Sequence, residues 1–207
     1  MEPKQEKNDD FWRKFWLEPI QAWDQNGPHP HLKRTLEAAI DRGQLQEGGR
    51  IFAPGCGRAH SEAVLAKLGY QVTAADFVQE ALDKAKAFHG ELVGLNFVNQ
   101  DVLKPGQDEQ GYYDGIFDRA FFCAIPPPLR KTFVESCHYR LKPGGLFMSL
   151  TFTMIAPDIK GPPFAIKLDE IHHLFANDFT LVFAETNSSI QENSKIKEEL
   201  INIWQKK

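Results

Sequence analysis

The sequence predicts an α/β fold of the Rossmann-like, doubly wound class: a seven-stranded, mostly parallel sheet with a helical lid at its N-terminal side. Three observations predict it. From Arg50 onward, short apolar strands alternate with helical segments of about 10–12 residues, the pattern of a parallel sheet covered on both faces. The first strand runs into the glycine turn Gly55-Cys56-Gly57, and the second ends on an acid, Asp76. Two late strand segments lie close together without a long helix between them, which predicts an antiparallel hairpin at one sheet edge.

Residues 1–10 are charged and poor in apolar side chains, and are expected to fray. Phe11 to Trp23 then carries Phe11, Trp12, Phe15, Trp16 and Ile20. Trp12 and Trp16 stand at i,i+4 and share one helical face. The break Asn26-Gly27-Pro28-His29-Pro30 ends this segment, and His31 to Arg42 reads as a second helix. Strands are expected at Arg50–Ala53, Gln71–Ala75, Leu95–Asn99, Tyr113–Phe117 and Leu146–Phe152, the last behind the turn Pro143-Gly144-Gly145. Helices are expected at Ala59–Leu68, Val78–Phe88, Arg130–Leu141 and Asp169–Phe175, with late strands at Thr180–Glu185 and Glu199–Trp204. Right-handed crossovers assemble these into one domain over 1–207, with 1–49 as the lid and 50–207 as the core.

At 207 residues, 42% hydrophobic and 25% charged, the chain has ordinary globular composition. A net charge of −4 argues against a nucleic-acid footprint and for a small-molecule partner. No apolar run reaches the ~18 residues of a membrane span, and no apolar leader follows Met1. Cys56, Cys123 and Cys137 are odd in number and lack metal-ligand spacing, which fits reduced thiols in a cytoplasm. His29 and His31, and the adjacent His172 and His173, have no third ligand at recognisable spacing, so no metal is expected. A monomer is expected. Three of the four tryptophans fall in the first 23 residues of an otherwise polar leader, a concentration that needs an account.

Gly55 and Gly57 permit a tight turn and close backbone approach at the end of the first strand. Asp76, about twenty residues on, is the acid that accepts two ribose hydroxyls. The third glycine of a dinucleotide fingerprint is replaced by His60. That favours a nucleoside cofactor without phosphates: S-adenosylmethionine, whose product is S-adenosylhomocysteine. Asp101, after the third strand, either meets an adenine amino group or caps its own loop before Pro105.

The motifs Trp12-x-x-x-Trp16 with Ala22-Trp23-Asp24, Pro54-Gly55-Cys56-Gly57-Arg58, and Phe117-Asp118-Arg119-Ala120-Phe121-Phe122-Cys123-Ala124-Ile125-Pro126 with Arg130 occur in that order. Leu141-Lys142-Pro143-Gly144-Gly145 and Gly161-Pro162-Pro163-Phe164 follow. The ordered set, over roughly residues 11–204, resembles the thiopurine S-methyltransferase family of class I methyltransferases, including its thiol and halide branch. The resemblance implies that Trp12 and Trp16 lie over the cofactor. It implies backbone contact from Gly55, Phe77 and Val102 flanking the adenine, and Asp118 near the methionine tail and the methyl group. Arg130 is the implied acceptor-pocket arginine; Arg119 and Phe121, and Trp23 and Asp24 ahead of the Gly-Pro break, are acceptor-side candidates, with Arg130 and Asp118 as the candidate catalytic pair. Arg119 stands where the thiol and halide branch commonly has an aromatic residue, which turns the expectation away from halide.

Methyl transfer from a sulfonium needs alignment and desolvation more than proton transfer, because the donor is already activated. A thiolate is the available nucleophile near neutral pH, and Arg130 is suited to steady an anionic acceptor. Other readings stand beside these. Arg130 at a helix start pairs equally well with surface carboxylates, and the tryptophan pair is equally able to staple the leader to the core. Cys123 reads as a buried small hydrophobe rather than a nucleophile. The expected activity is methyl transfer to a small soft nucleophile, foremost a thiol. The alternatives are an O- or N-methyltransferase, a halide or thiocyanate methyltransferase, a nicotinamide enzyme and a non-catalytic nucleoside-binding protein.

Overall fold

The computed structural model describes residues 6–19, 24, 26–41, 45–188 and 196–207, with side chains from Asp10 onward. Its strands are β1 (Arg50–Pro54), β2 (Gln71–Asp76), β3 (Leu95–Asn99), β4 (Tyr113–Arg119), β5 (Leu141–Ile155), β6 (Phe179–Asn187) and β7 (Ile196–Lys206). They form one seven-stranded sheet in the order β3-β2-β1-β4-β5-β7-β6. Strands β1 to β5 pair in parallel, and β7 is antiparallel to both β5 and β6. The expected edge hairpin is therefore present, with β7 inserted between β5 and β6. The order reverses between β1 and β4, and a ligand crevice opens at such a switch point.

The helices are α1 (Glu6–Leu17), α2 (Leu32–Ile40), α3 (His60–Lys67), α4 (Gln79–His89), α5 (Arg130–Arg140) and α6 (Leu168–Phe175). Strand alternation sorts the core into two layers. Ile51, Ala53, Phe117, Met148, Leu150, Ile201 and Ile203 face α2 and α3, where Leu32, Leu36, Ala63 and Ala66 complete one layer. Their neighbours Phe52, Ile116, Phe147, Leu200 and Trp204 point the other way, onto Phe133 and Val134 of α5 and Ile171 and Phe175 of α6. Trp204 stacks on Phe175 with ring centroids 5.1 Å apart. A buried ion pair, Arg140 Nε to Glu109 Oε1 at 3.1 Å, ties the loop before β4 to α5.

Several boundaries depart from expectation, and two of the elements show why. α1 starts at Glu6, inside the stretch expected to fray, and ends at Leu17. It is fastened to α4: Lys84 Nζ donates to the carbonyls of Trp16 (2.6 Å) and Glu18 (3.0 Å), and Arg13 pairs with Glu80 at 2.5 Å. Trp23 lies outside the described residues. β5 starts at Leu141, ahead of the Pro-Gly-Gly turn, because Leu141 pairs with Tyr113 and a register shift between Tyr113 and Gly115 absorbs the extra residues. Among the described residues, no helix is long and apolar enough to cross a membrane.

Candidate active site

The site is built at the C-terminal ends of β1, β2 and β4. Gly55 and Gly57 have φ of +58° and +53°, a left-handed backbone that other residues adopt at a cost. Space demands glycine as well. A β-carbon on Gly55 would stand 2.0 Å from the Phe121 ring, and one on Gly57 would stand 3.3 Å from Trp16. The turn is thus held between an aromatic ring from the β4 loop and another from α1.

Asp76 fastens this turn to the next one. Its Oδ2 accepts the Gly57 N–H at 3.2 Å, and its Oδ1 accepts the Val78 N–H at 3.0 Å. The side chain is buried, and desolvation pushes its carboxyl up to about 6 against the pull of those amides. Cys56 N–H donates to the Ala75 carbonyl at 3.0 Å, so β1 and β2 remain bonded past the sheet edge.

A cavity of about 620 Å³ opens over these turns, within the size range of small-ligand sites. Its lining includes Trp12, Trp16, Gly55, Gly57, Asp76 and Phe77. It also includes Asp24, Glu62, Arg119, Phe121, Phe152, Pro162 and Pro163. Trp16 is buried, and with Trp12 it packs on Phe77, Val78 and Ala81. Asp24 is held by Arg58, whose Nε lies 2.6 Å from Oδ2, and by His60 at 3.6 Å. Arg119 lines the cavity, and among the described residues its side chain makes no hydrogen bond or ion pair.

The structure therefore gathers Trp12, Trp16, Asp24, Gly55, Gly57, Asp76, Phe77, Arg119 and Phe121 around one space. Four other candidates stand outside its lining. Asp118 is fully buried, and its Oδ1 accepts the N–H groups of Phe121 and Phe122 at 3.0 Å each. Its Oδ2 takes the Ser149 hydroxyl at 2.6 Å, and burial pushes the carboxyl up to about 6. Asp118 thus shapes the turn that carries Phe121. Arg130 is 2% exposed: Nη1 pairs with Glu170 at 2.6 Å, and Nη2 donates to the Phe164 carbonyl at 3.4 Å. It fastens α6 and the Pro162-Pro163 loop instead of reaching the cavity. Asp101 caps its own loop, accepting the Leu103 N–H at 3.0 Å and pairing with Lys104 at 3.2 Å. Val102 is a core residue whose carbonyl serves Ser136 and Arg140.

The other titratable candidates resolve into structural roles. Cys123 is buried, and desolvation pushes its thiol up to about 12. His29 Nε2 lies 3.2 Å from Glu199 Oε1, and His31 lies 3.9 Å from the same carboxylate. Among the described residues, no group of three or more His, Cys, Asp or Glu is arranged to hold a metal.

Sequence reasoning missed Glu62, Arg58 and His60 as cavity residues. Glu62 had a readable signal. It falls at i+3 from Ala59 and i−4 from Ala66, on the apolar face of α3, so the helix period alone buries a carboxyl there.

These residues fit S-adenosylmethionine. A glycine turn with no room for a β-carbon beside Phe121 borders the cavity, a carboxylate ends β2 beside it, and indole and phenyl rings line the same space.

The family model for thiopurine S-methyltransferase matches residues 7–207. Thiocyanate methyltransferase 1 of Arabidopsis thaliana is 31% identical over 202 residues, covering 94% of this chain and 84% of that protein. Thiopurine S-methyltransferase of Legionella pneumophila (strain Paris) is 24% identical, covering 88% of this chain and 87% of that protein. In fold, the chain is similar to the N-methyltransferase NodS of Bradyrhizobium japonicum WM9, solved with S-adenosylhomocysteine. That match has a TM-score of 0.75 and 14% identity, covering 96% of this chain and 97% of that one. The chain belongs to the thiopurine S-methyltransferase family, and is a methyltransferase built on the S-adenosylmethionine-dependent form of the doubly wound fold.

Proposed function

We propose that the protein moves a methyl group from S-adenosylmethionine to the sulfur of a small thiol-type acceptor. The observation that carries this reading is the make-up of the cavity lining. It joins a glycine turn and Asp76 to aromatic and proline side chains. It also contains an arginine, Arg119, whose side chain makes no hydrogen bond or ion pair among the described residues. A soft anionic nucleophile needs little more than desolvation and one nearby positive charge.

Residue roles follow. Asp76 takes the ribose hydroxyls, Gly55 and Gly57 allow close backbone approach, and Phe77 covers the adenine. When bound, S-adenosylmethionine supplies an activated methyl group. Trp12 and Trp16 roof the site and exclude water, so residues 1–49 work as a lid over the 50–207 core. Arg119 steadies a sulfur anion, while Asp24, Phe121, Pro162 and Pro163 limit the acceptor's size. Asp118 and Arg130 act through others, Asp118 by aiming Phe121 and Arg130 by holding the Pro162-Pro163 loop. Within this reading the protein works as a cytoplasmic monomer on small molecules, without nucleic-acid or membrane partners.

Thiocyanate is the second acceptor to test. It is a soft sulfur anion suited to Arg119, and it appears in the name of the Arabidopsis relative. The experiment is transfer of labelled methyl to a panel of thiols, sulfide, thiocyanate, iodide, thiopurines, amines and alcohols. The reading expects sulfur acceptors to lead. Label on oxygen or nitrogen acceptors alone overturns it.

A further inference from the structure

The first turn of α3 carries a charge that this reading has not used. Glu62 is 5% exposed and lines the cavity. Its carboxylate takes a hydrogen bond from its own amide and, among the described residues, makes no ion pair. A buried carboxyl in that state carries a desolvation cost that its own amide and the charge of Arg119 offset only in part. Such groups recur where proton transfer is the task.

The surroundings narrow the task. Arg119 from β4 acts electrostatically on Glu62, on His60 of the same helix and on Glu199 of β7. Arg58 and Asp24 neutralise each other beside it, and His29 is engaged by Glu199. Arg119 and Glu62 are thus a cation and an acid that line the same cavity and feel one another's charge, and neither is in an ion pair among the described residues. A thiol entering between them meets a proton acceptor and a positive charge together.

We propose that Glu62 is a catalytic residue of this reaction, the general base that takes the proton from the acceptor thiol. The S–H bond breaks and an O–H bond forms on the Glu62 carboxylate. The electron pair stays on sulfur as a thiolate facing Arg119, and the proton passes to water before the next turnover. Desolvation raises the Glu62 carboxyl to about 7, which brings it near enough to a thiol's ~8.5 for efficient transfer. The proposal rests on the reading of the acceptor as a thiol.

The test compares Glu62→Gln with the wild type on 2-mercaptoethanol, which must lose a proton, and thiocyanate, which has none to lose. The ratio of kcat/KM for the thiol to that for thiocyanate is expected to fall ~100-fold in the variant. The rise of the thiol rate through neutral pH shifts upward toward the thiol's own ionisation. By calorimetry, thiocyanate binds the S-adenosylhomocysteine complex several-fold more tightly in the variant above pH 7, because the repelling carboxylate is gone. Unchanged S-adenosylhomocysteine affinity shows that the variant is folded. Equal losses on both acceptors, or an unaltered pH profile, overturn the proposal. A wild-type enzyme that methylates no thiol overturns instead the reading beneath it, so the two failures are distinguishable.

Discussion

Phe121 lies so close beneath Gly55 that a β-carbon on the glycine would stand 2.0 Å from its ring. The two residues come from different strand ends, β1 and β4, yet they fix one another. Asp118 sets Phe121 by holding its amide, and the ring in turn leaves the cradle no room for any residue but glycine. Gly55→Ala has to displace the ring or the turn and also strain a backbone at φ +58°. The variant is expected to lose S-adenosylhomocysteine binding by at least ~100-fold, and Phe121→Ala in the same chain to recover part of it. Calorimetric titration of the single and double variants checks both points.

Asp76→Ala strands the amides of Gly57 and Val78 as well as the ribose hydroxyls assigned to it. A weakening of cofactor binding by ~1–3 kcal/mol is expected, with the sheet intact. Calorimetry with S-adenosylhomocysteine reads the loss, and unchanged affinity would remove Asp76 from the site.

Arg130→Met releases Glu170 and the Phe164 carbonyl and frees the Pro162-Pro163 loop. The acceptor KM is expected to rise ~10-fold while cofactor affinity holds. Steady-state kinetics in both substrates separates this from a direct catalytic role, in which kcat would fall with KM unchanged.

Stability is expected to decline from about pH 4 to pH 8. Burial raises Glu62 to about 7, and Asp76 and Asp118 to about 6, above the ~4 of an unfolded chain. The folded state therefore holds protons that the unfolded state has released. That contribution is complete below pH ~4 and is lost as pH rises through 6 and 7. Glu199 runs the other way but at lower pH: desolvation is its largest single influence, yet the His29 hydrogen bond and the neighbouring His29, His31 and Arg119 side chains together hold it below the usual range. Urea midpoints across this window check the slope. Glu62→Gln should flatten its upper part, gaining on the order of 2 kcal/mol at pH 8. A midpoint that climbs between pH 5 and 8 contradicts the assignment.

Much of this was legible in the sequence, because the signals were local. The alternation of strands and helices, the glycine turn and the acid ending β2 are each set by neighbouring residues, and they gave the sheet and the cradle. What escaped depends on contacts across the fold. Arg130 looks free at a helix start, yet the packing of α6 brings Glu170 to it. Asp118 follows an apolar strand like an active-site acid, yet its oxygens are consumed by the next turn. Val102 sits beside a loop that resembles an adenine wall, yet its side chain faces the second core layer. Glu62 was legible in the helix period and was overlooked, since a carboxyl on a buried face reads first as an irregularity.

The most direct test of the account is to give the enzyme S-adenosylmethionine carrying a ¹³C-methyl group together with cysteamine, which offers a thiol and an amine in one small molecule. The carbon shift of the product identifies the atom that received the methyl. The account predicts label on sulfur alone. Label on nitrogen, or binding of the cofactor with no transfer to any thiol, would contradict it.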